Sequence, residues 1–364
     1  MKLGMLLFLL IPIVGHVYVF WHVWNIVPLN NWLKIILLVL LSLGFISLVV
    51  GFGAGLDKMP MPLATAIYEL GTSSVFVLLY AVMLFLLLDL GRLAHLVPKQ
   101  FLYNSLPGTL TVLGILLAVF VYGNIHYNNK VRQDLHLNTS KHLDKPLKVV
   151  MISDLHLGYH NRRAEFARWV DLINAERPHL VLIAGDIIDI SVRPLLEEKV
   201  AEEFRRIKAP IYACLGNHEY YSNEARAEKF YRDANINLLR DSVVQLMDLN
   251  IVGRDDRTNG RRATLKSLMG KADPSKYTIL LDHQPYHLEE AQRAGVDFQL
   301  SGHTHYGQVW PISWIEDAIY EDAYGPLTKG NTRYFVTSGI GIWGGKFRIG
   351  TRSEYLVAKI TRSF

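Results

Sequence analysis

The chain has 364 residues, half of them hydrophobic, with a formal net charge of +5 and a mean hydropathy of +0.17. That is too apolar for a wholly water-soluble enzyme of this length, so part of it belongs in a bilayer. Residues 1–130 carry six basic and three acidic side chains, leaving the remainder close to neutral, which argues against a nucleic-acid groove with its concentrated basic face. The single cysteine, Cys214, rules out an intramolecular disulfide framework.

Four apolar stretches come first, at about 3–24, 33–52, 70–90 and 106–123. Each is near the ~20 residues that cross a bilayer. The first is long for a signal peptide and is followed by Trp21, Trp24 and Asn25 rather than a small-x-small cleavage site. Trp21, Trp24 and Trp32 fall at span ends, as interfacial anchors do. The expectation is a four-helix transmembrane region over residues 1–124. His22, Glu69 and Arg92 lie near span ends, and Asp89 with Arg92 is spaced to pair at i, i+3 on one helix face, so these polar groups read as structural rather than as an intramembrane site. An even number of spans puts both termini on one side of a bacterial inner membrane. Lys2, Lys58, Lys130, Arg132 and Lys141 mark that side against Lys34, Arg92 and Lys99 on the other, which places the domain that follows in the cytoplasm.

Residues 125–146 are polar and lack sustained periodicity, the pattern of a linker. The domain expected over 147–364 opens with alternating strands and helices: strand 148–153, helix 161–176, strand 180–185, helix 194–207, strand 211–215 and helix 223–234. Such alternation builds βαβ units around a parallel sheet. Beyond 236 the segments shorten, at 236–239, 243–253, 277–282, 297–301, 333–338 and 354–361, and predict a second, mixed sheet.

The chemistry-bearing residues sit at strand ends. Asp154 and His156 close the first strand of the domain, two residues apart, so an extended backbone directs both to one side. A carboxylate and an imidazole so placed can grip a metal ion. Later strands are followed by Gly185-Asp186-Ile-Ile-Asp189, Gly216-Asn217-His218-Glu219, Asp282-His283-Gln-Pro285 and Ser301-Gly302-His303-Thr304-His305. One polar strand exit means little. Five of them, each with a carboxylate, carboxamide or imidazole where open α/β sheets bind ligands, imply a shared site.

The ordered set Asp-x-His, Gly-Asp-x-x-Asp, Gly-Asn-His-Glu, His-x-Pro and Gly-His-x-His resembles the calcineurin-like metallophosphoesterases over residues 148–361. The run Gly302-His-Thr-His-Tyr-Gly-Gln308 is similar to their bacterial membrane-associated branch, which includes UDP-diacylglucosamine hydrolases and has glycine where this chain has Tyr306. The resemblance implies an α/β domain of two mixed β-sheets packed face to face and flanked by helices. It implies two divalent metal ions, the first held by Asp154, His156, Asp186 and His305, the second by Asp186, Asn217, His283 and His303, with Asp186 bridging. Mixed oxygen and nitrogen donors suit Mn, Fe or Zn. His218 follows Asn217 directly and so faces away from that ligand, which suits it to catalysis by donating to a leaving-group oxygen. Asp189 and Glu219 then serve to orient histidines.

The expected activity is hydrolysis of a phosphodiester or pyrophosphate bond, with a lipid-linked phosphoester among the candidate substrates. A membrane sensor or scaffold without turnover is the alternative, and it should have lost a ligand, which this chain has not. Four spans without paired broken helices argue against a transporter. Between Trp310 and Pro326, Ile312, Ile315 and Ile319 form an amphipathic stripe with Ala318, opposite Ser313, Glu316, Asp317 and Glu321. That stripe either packs on its own domain or, with Trp310 and Trp314, offers an apolar wall to a lipid tail.

Overall fold

The computed structural model describes residues 2–363, with the backbone alone for residues 2–10 and Phe52. It divides into two compact units, one of residues 1–125 with 344–346, the other of residues 126–343 with 347–364.

The first unit is helical: α1 (Lys2–Ile26), α2 (Asn31–Val50), α3 (Met61–Leu93) and α4 (Leu106–Asn128). Among the described residues three of these, α2, α3 and α4, are long and apolar enough to cross a membrane, not four. The expected first span is helical, but its opening residues carry no described side chains. Helix α3 starts nine residues before the expected span, because Met61-Pro62 begins a helical turn ahead of the apolar run. Gly71 lets α2 and α3 close on one another, since a Cβ there would stand 2.7 Å from the Leu48 backbone nitrogen. The expected Asp89–Arg92 pair does not form. Asp89 instead accepts from Tyr18 Oη at 2.7 Å and His22 Nε2 at 3.0 Å across α1 and α3. Arg92 turns to Tyr103 Oη at 3.3 Å.

The second unit opens with β1 (Lys130–Thr139) and β2 (Leu147–Ile152), then α5 (Arg163–Ala175), β3 (Leu180–Ala184), α6 (Arg193–Glu197), α7 (Ala201–Phe204), β4 (Ile211–Cys214), α8 (Asn217–Tyr221) and α9 (Glu224–Asp233). It continues through β5 (Asn237–Leu238), β6 (Ser242–Leu246), β7 (Leu249–Gly253), α10 (Leu265–Met269), β8 (Tyr277–Leu281), α11 (Glu289–Ala294) and β9 (Phe298–Ser301). It ends with α12 (Ile312–Ile319), β10 (Gly325–Lys329), β11 (Thr332–Val336) and β12 (Ser353–Arg362). The linker expected at 125–146 is corrected: residues 125–128 end α4 and residues 130–139 are β1, paired in parallel with β12 at the edge of a sheet. The signal is a period of two, since Leu135, Leu137 and Thr139 are buried while Asp134, His136 and Asn138 face out. The apolar segment 243–253 is likewise two antiparallel strands, β6 and β7. The expected helix 194–207 is the two short helices α6 and α7.

Two six-stranded mixed sheets result, ordered β1-β12-β2-β3-β4-β5 and β10-β11-β9-β8-β7-β6. Alternation along each strand fixes the layers. Val149 and Met151 of β2, with Leu180 and Leu182 of β3, join Ile251, Ile279, Leu281 and Leu300 of the other sheet in one core. Val150, Ile152, Val181 and Ile183 point the other way and pack on Phe166, Trp169, Ile173 and Phe204. Val252 and Leu280 meet Leu265, Leu268, Leu288 and Tyr334 on the outer face of the second sheet. Each such side chain contributes about 1.5–3 kcal/mol by burial. Slipping β2 by one residue would exchange its two sets of contacts, which pins the register and hence the position of Asp154.

Candidate metal centre

Every expected ligand leaves from a strand's carboxyl end: Asp154 and His156 after β2, Asp186 after β3, Asn217 after β4, His283 after β8, His303 and His305 after β9. Strands β2, β3 and β4 run parallel in one sheet, and β7, β8 and β9 in the other. Their ends meet along one rim, and all seven side chains converge there.

His156 Nε2 lies 3.8 Å from Asp154 Oδ1 and 3.6 Å from Asp186 Oδ2. It faces His305 Nε2 at 3.0 Å, and that nitrogen is 3.6 Å from Asp154 Oδ1. On the other side, His283 Nε2 is 3.1 Å from Asp186 Oδ2 and 3.2 Å from Asn217 Oδ1. The ligand atoms of Asp186, His283 and His303 all lie within 4.8 Å of one another. One oxygen, Asp186 Oδ2, is therefore shared by both groups.

The donor set fits divalent cations. His283 Nδ1 is 2.7 Å from the Ala184 carbonyl and must donate to it. That leaves Nε2 turned toward two oxygens, an arrangement that needs either a proton or a metal ion between them. Burial opposes a charged His283, but the Asp186 carboxylate beside it holds its pKa well above the ordinary value. His156 is likewise fully buried, yet bonds to Asp154 and Asp189 raise it to about 10. Burial pushes His303 down to about 4 and holds His305 well below its ordinary value. Two carboxylates, an amide oxygen and four imidazoles thus face one another, a donor set suited to divalent cations.

The backbone carries strain at this rim. Asp154, His156, Asp186, His303 and His305 have φ of 55°, 44°, 51°, 74° and 49°. Each non-glycine residue so placed costs about 1–2 kcal/mol, and such clusters mark functional sites whose surroundings over-determine them. Glu219 supplies much of that determination: its buried carboxylate accepts from the backbone N–H of Gly216 at 2.7 Å, Ile188 at 3.0 Å and Asp186 at 3.1 Å. Rather than orienting a histidine, as expected, Glu219 ties the β3 and β4 turns together. Gly185 is needed beside it, with φ of 81° and no room for a Cβ, which would stand 2.8 Å from His283 Nδ1.

His218 differs from the ligands in being reachable, with 13% of its side chain exposed where that of His156 is fully buried. Its Nδ1 lies 3.3 Å from Asp189 Oδ1, the same oxygen that is 3.3 Å from His156 Nδ1. One carboxylate therefore positions a would-be ligand and a would-be acid together. Tyr306, where the related branch has glycine, adopts φ 48° and ψ 46° and keeps the turn in a glycine-like conformation. Its ring stacks on Tyr324 at 4.9 Å, and its hydroxyl reaches Asp317 at 3.2 Å, which offsets the strain.

Sequence reasoning missed the wall behind Asp154. Gly341 N donates to the Asp154 carbonyl at 3.0 Å and Ile340 N to that of Ser153 at 3.2 Å. Fully buried Arg348 fixes this turn by donating to the carbonyls of Ser338, Gly341 (3.0 Å) and His305 (2.7 Å). Burial lowers its guanidinium to about 10. The available signal is Gly339-Ile-Gly341 directly after a strand.

A sandwich of two mixed sheets with this many oxygen and nitrogen donors along one carboxyl rim is the build of a metal-dependent phosphoesterase. The family model described as calcineurin-like phosphoesterase matches residues 147–307. A metallophosphoesterase of Campylobacter jejuni is 30% identical over 256 residues, 68% of each chain. One from Helicobacter pylori is 29% identical over 58% of this chain and 59% of its own length. A zebrafish transmembrane protein with a metallophosphoesterase domain is 29% identical over 57% of this chain and 52% of its own. The chain thus spans between about half and two thirds of these relatives. It belongs to the calcineurin-like metallophosphoesterases.

Proposed function

We propose that the chain is a membrane-anchored hydrolase of phosphodiester or pyrophosphate bonds that works with two divalent ions. The observation that carries this reading is Asp186 Oδ2, 3.6 Å from His156 Nε2 and 3.1 Å from His283 Nε2. Asp154, His156, Asp186 and His305 would hold one ion; Asp186, Asn217, His283 and His303 would hold the other. When bound, such a pair supplies Lewis acidity toward a phosphoryl group and makes water acidic enough to attack it. The protein's part is to align ester and water, and His218 donates a hydrogen bond or proton to the leaving oxygen. Asp189 keeps that imidazole aimed. A sensor without turnover would have no use for a strained, fully furnished rim.

What supports a lipid-linked substrate is α12. Ile315 and Ile319 of its stripe are 57% and 55% exposed, and the neighbouring Trp314 is 65% exposed. Trp310 meets Trp314 edge to face at 5.2 Å. The helix leads into Tyr320, whose ring lies 6.3 Å from that of His303. An exposed apolar patch beside a catalytic rim suits an acyl chain. In detergent, the wild-type chain should hydrolyse both a soluble aryl phosphodiester and an acylated phosphodiester. Trp314→Ser should lower kcat/KM about tenfold on the acylated compound only, the scale of one large apolar contact. Equal losses on both would return α12 to a structural role.

Chain order bears on the side of the membrane. Two crossings, α3 and α4, separate the Gly51–Pro60 turn from the second unit, so both fall on one side. Lys58, Lys130, Arg132 and Lys141 on that side outnumber Lys34, Arg92 and Lys99, which supports a cytoplasmic catalytic unit. Alkaline phosphatase fused after Phe364 should then be inactive and a fluorescent protein bright; the reverse pattern puts the unit outside.

A further inference from the structure

The metal-type donors and His218 leave a row of side chains beyond His303 without a task. Tyr320 meets His303 with ring centroids 6.3 Å apart. Tyr286 packs on Tyr320 at 4.7 Å, their hydroxyls 3.1 Å apart. At the end of the row the Arg257 guanidinium lies over the Tyr286 ring, 3.9 Å from its centroid. We propose that Arg257 is a specificity residue that binds a second anionic group of the substrate, so that a pyrophosphate-linked ester is favoured over a simple phosphodiester. This deepens, and rests on, the reading of the rim as a phosphoesterase centre.

An exposed arginine resting on a tyrosine is common on protein surfaces. Two features separate Arg257 from that case. The first is that the two less exposed arginines of the same stretch, Arg254 and Arg262, are spent and it is not. Arg254 pairs with Asp282 at 3.3 Å and Glu290 at 2.7 Å, and Arg262 pairs with Asp282 at 2.9 Å. Among the described residues the Arg257 guanidinium makes no ion pair, only its contact with the ring. Its planar fork of N–H donors stays open to phosphoryl oxygens while the ring keeps it from wandering.

The second feature is how the residue is presented. The two residues before it, Asp255 and Asp256, are buried and turn inward. Asp255 accepts from Tyr220 Oη at 2.7 Å, Arg240 Nε at 2.8 Å and Asn259 Nδ2 at 2.8 Å. Asp256 accepts from Gln284 Nε2 at 3.0 and 2.9 Å and from Thr258 Oγ1 at 2.6 Å. Tyr220 is two residues past His218, and Gln284 adjoins His283. The stretch that carries Arg257 is thus tied to the turns that carry the proposed acid and a proposed ligand. A surface arginine needs no such anchoring; one that meets a second phosphoryl group does.

The test uses the full chain in detergent, loaded with manganese. Calorimetry compares binding of diphenyl phosphate, with one phosphoryl group, and of symmetrical diphenyl diphosphate, with two. Wild type should bind the diphosphate about tenfold or more tightly, the worth of one charge-assisted contact. Arg257→Gln should remove that preference while leaving diphenyl phosphate within about twofold, and Arg257→Lys should restore part of it. Turnover of the diphosphate by Arg257→Gln should show a raised KM at unchanged kcat. Equal weakening of both compounds, no weakening of either, or a wild type without preference overturns the subsite. Failure of wild type to hydrolyse either compound overturns the catalytic reading instead, because the binding ratio is measured independently of turnover.

Discussion

Asp186→Asn should lose both metal and turnover. The substitution keeps an oxygen for the His218 backbone amide, which Asp186 Oδ1 accepts at 2.9 Å, so the local turn survives. What disappears is the anionic oxygen that faces His156 on one side and His283 on the other. An amide cannot hold two cations close together against their mutual repulsion. Affinity for at least one ion should fall by more than the roughly 10- to 100-fold that loss of an outer partner of a ligand costs. Metal analysis of the purified variant, beside its thermal unfolding, checks this. A variant that keeps two equivalents of metal and its activity would dismiss Asp186 as the bridge.

His218→Ala should separate the two: metal content stays and turnover falls about 10²- to 10⁴-fold, the usual range for one general acid. The seven donors proposed for the ions do not include its imidazole, whose Nδ1 lies 3.3 Å from Asp189 Oδ1. The penalty should depend on the ester. An activated aryl leaving group needs little protonation, so the loss should shrink there and be full for an alkyl ester. If His218→Ala is as depleted in metal as Asp186→Asn, the division between ligand and acid is wrong. If the loss is the same for aryl and alkyl esters, His218 acts on something other than the leaving group.

Residue type and strand-end placement make the rim legible in the amino-acid sequence alone. Each proposed ligand follows an apolar run whose period declares a strand, and parallel strands put their carboxyl ends together. Sequence order does not show which strand ends meet across the two sheets, so the sharing of Asp186 needs the resemblance to a family. The supports are harder to see. Glu219 and Arg348 act on backbone N–H and C=O groups, and such partners leave no pattern of their own in a sequence. Strand β1 reads as a linker because charged residues alternate with its buried Leu135 and Leu137. The missing Asp89–Arg92 pair has a similar cause: spacing along one helix says nothing of the competing Tyr18 and His22 on another.

The distance in sequence between the groups on the rim has a consequence for the timing of assembly. His156 and His305 face each other at 3.0 Å although 149 residues separate them. Each proposed ion takes ligands from both sheets: His305 joins Asp154, His156 and Asp186, while His283 and His303 join Asp186 and Asn217. A nascent chain that has reached only β5 carries four of the seven donors and neither full set. Closing so long a loop is slow and comes late in folding. The pocket therefore comes into being only once β9 has docked beside β8. Until then the growing chain presents carboxylates and imidazoles but no place where a cation is enclosed.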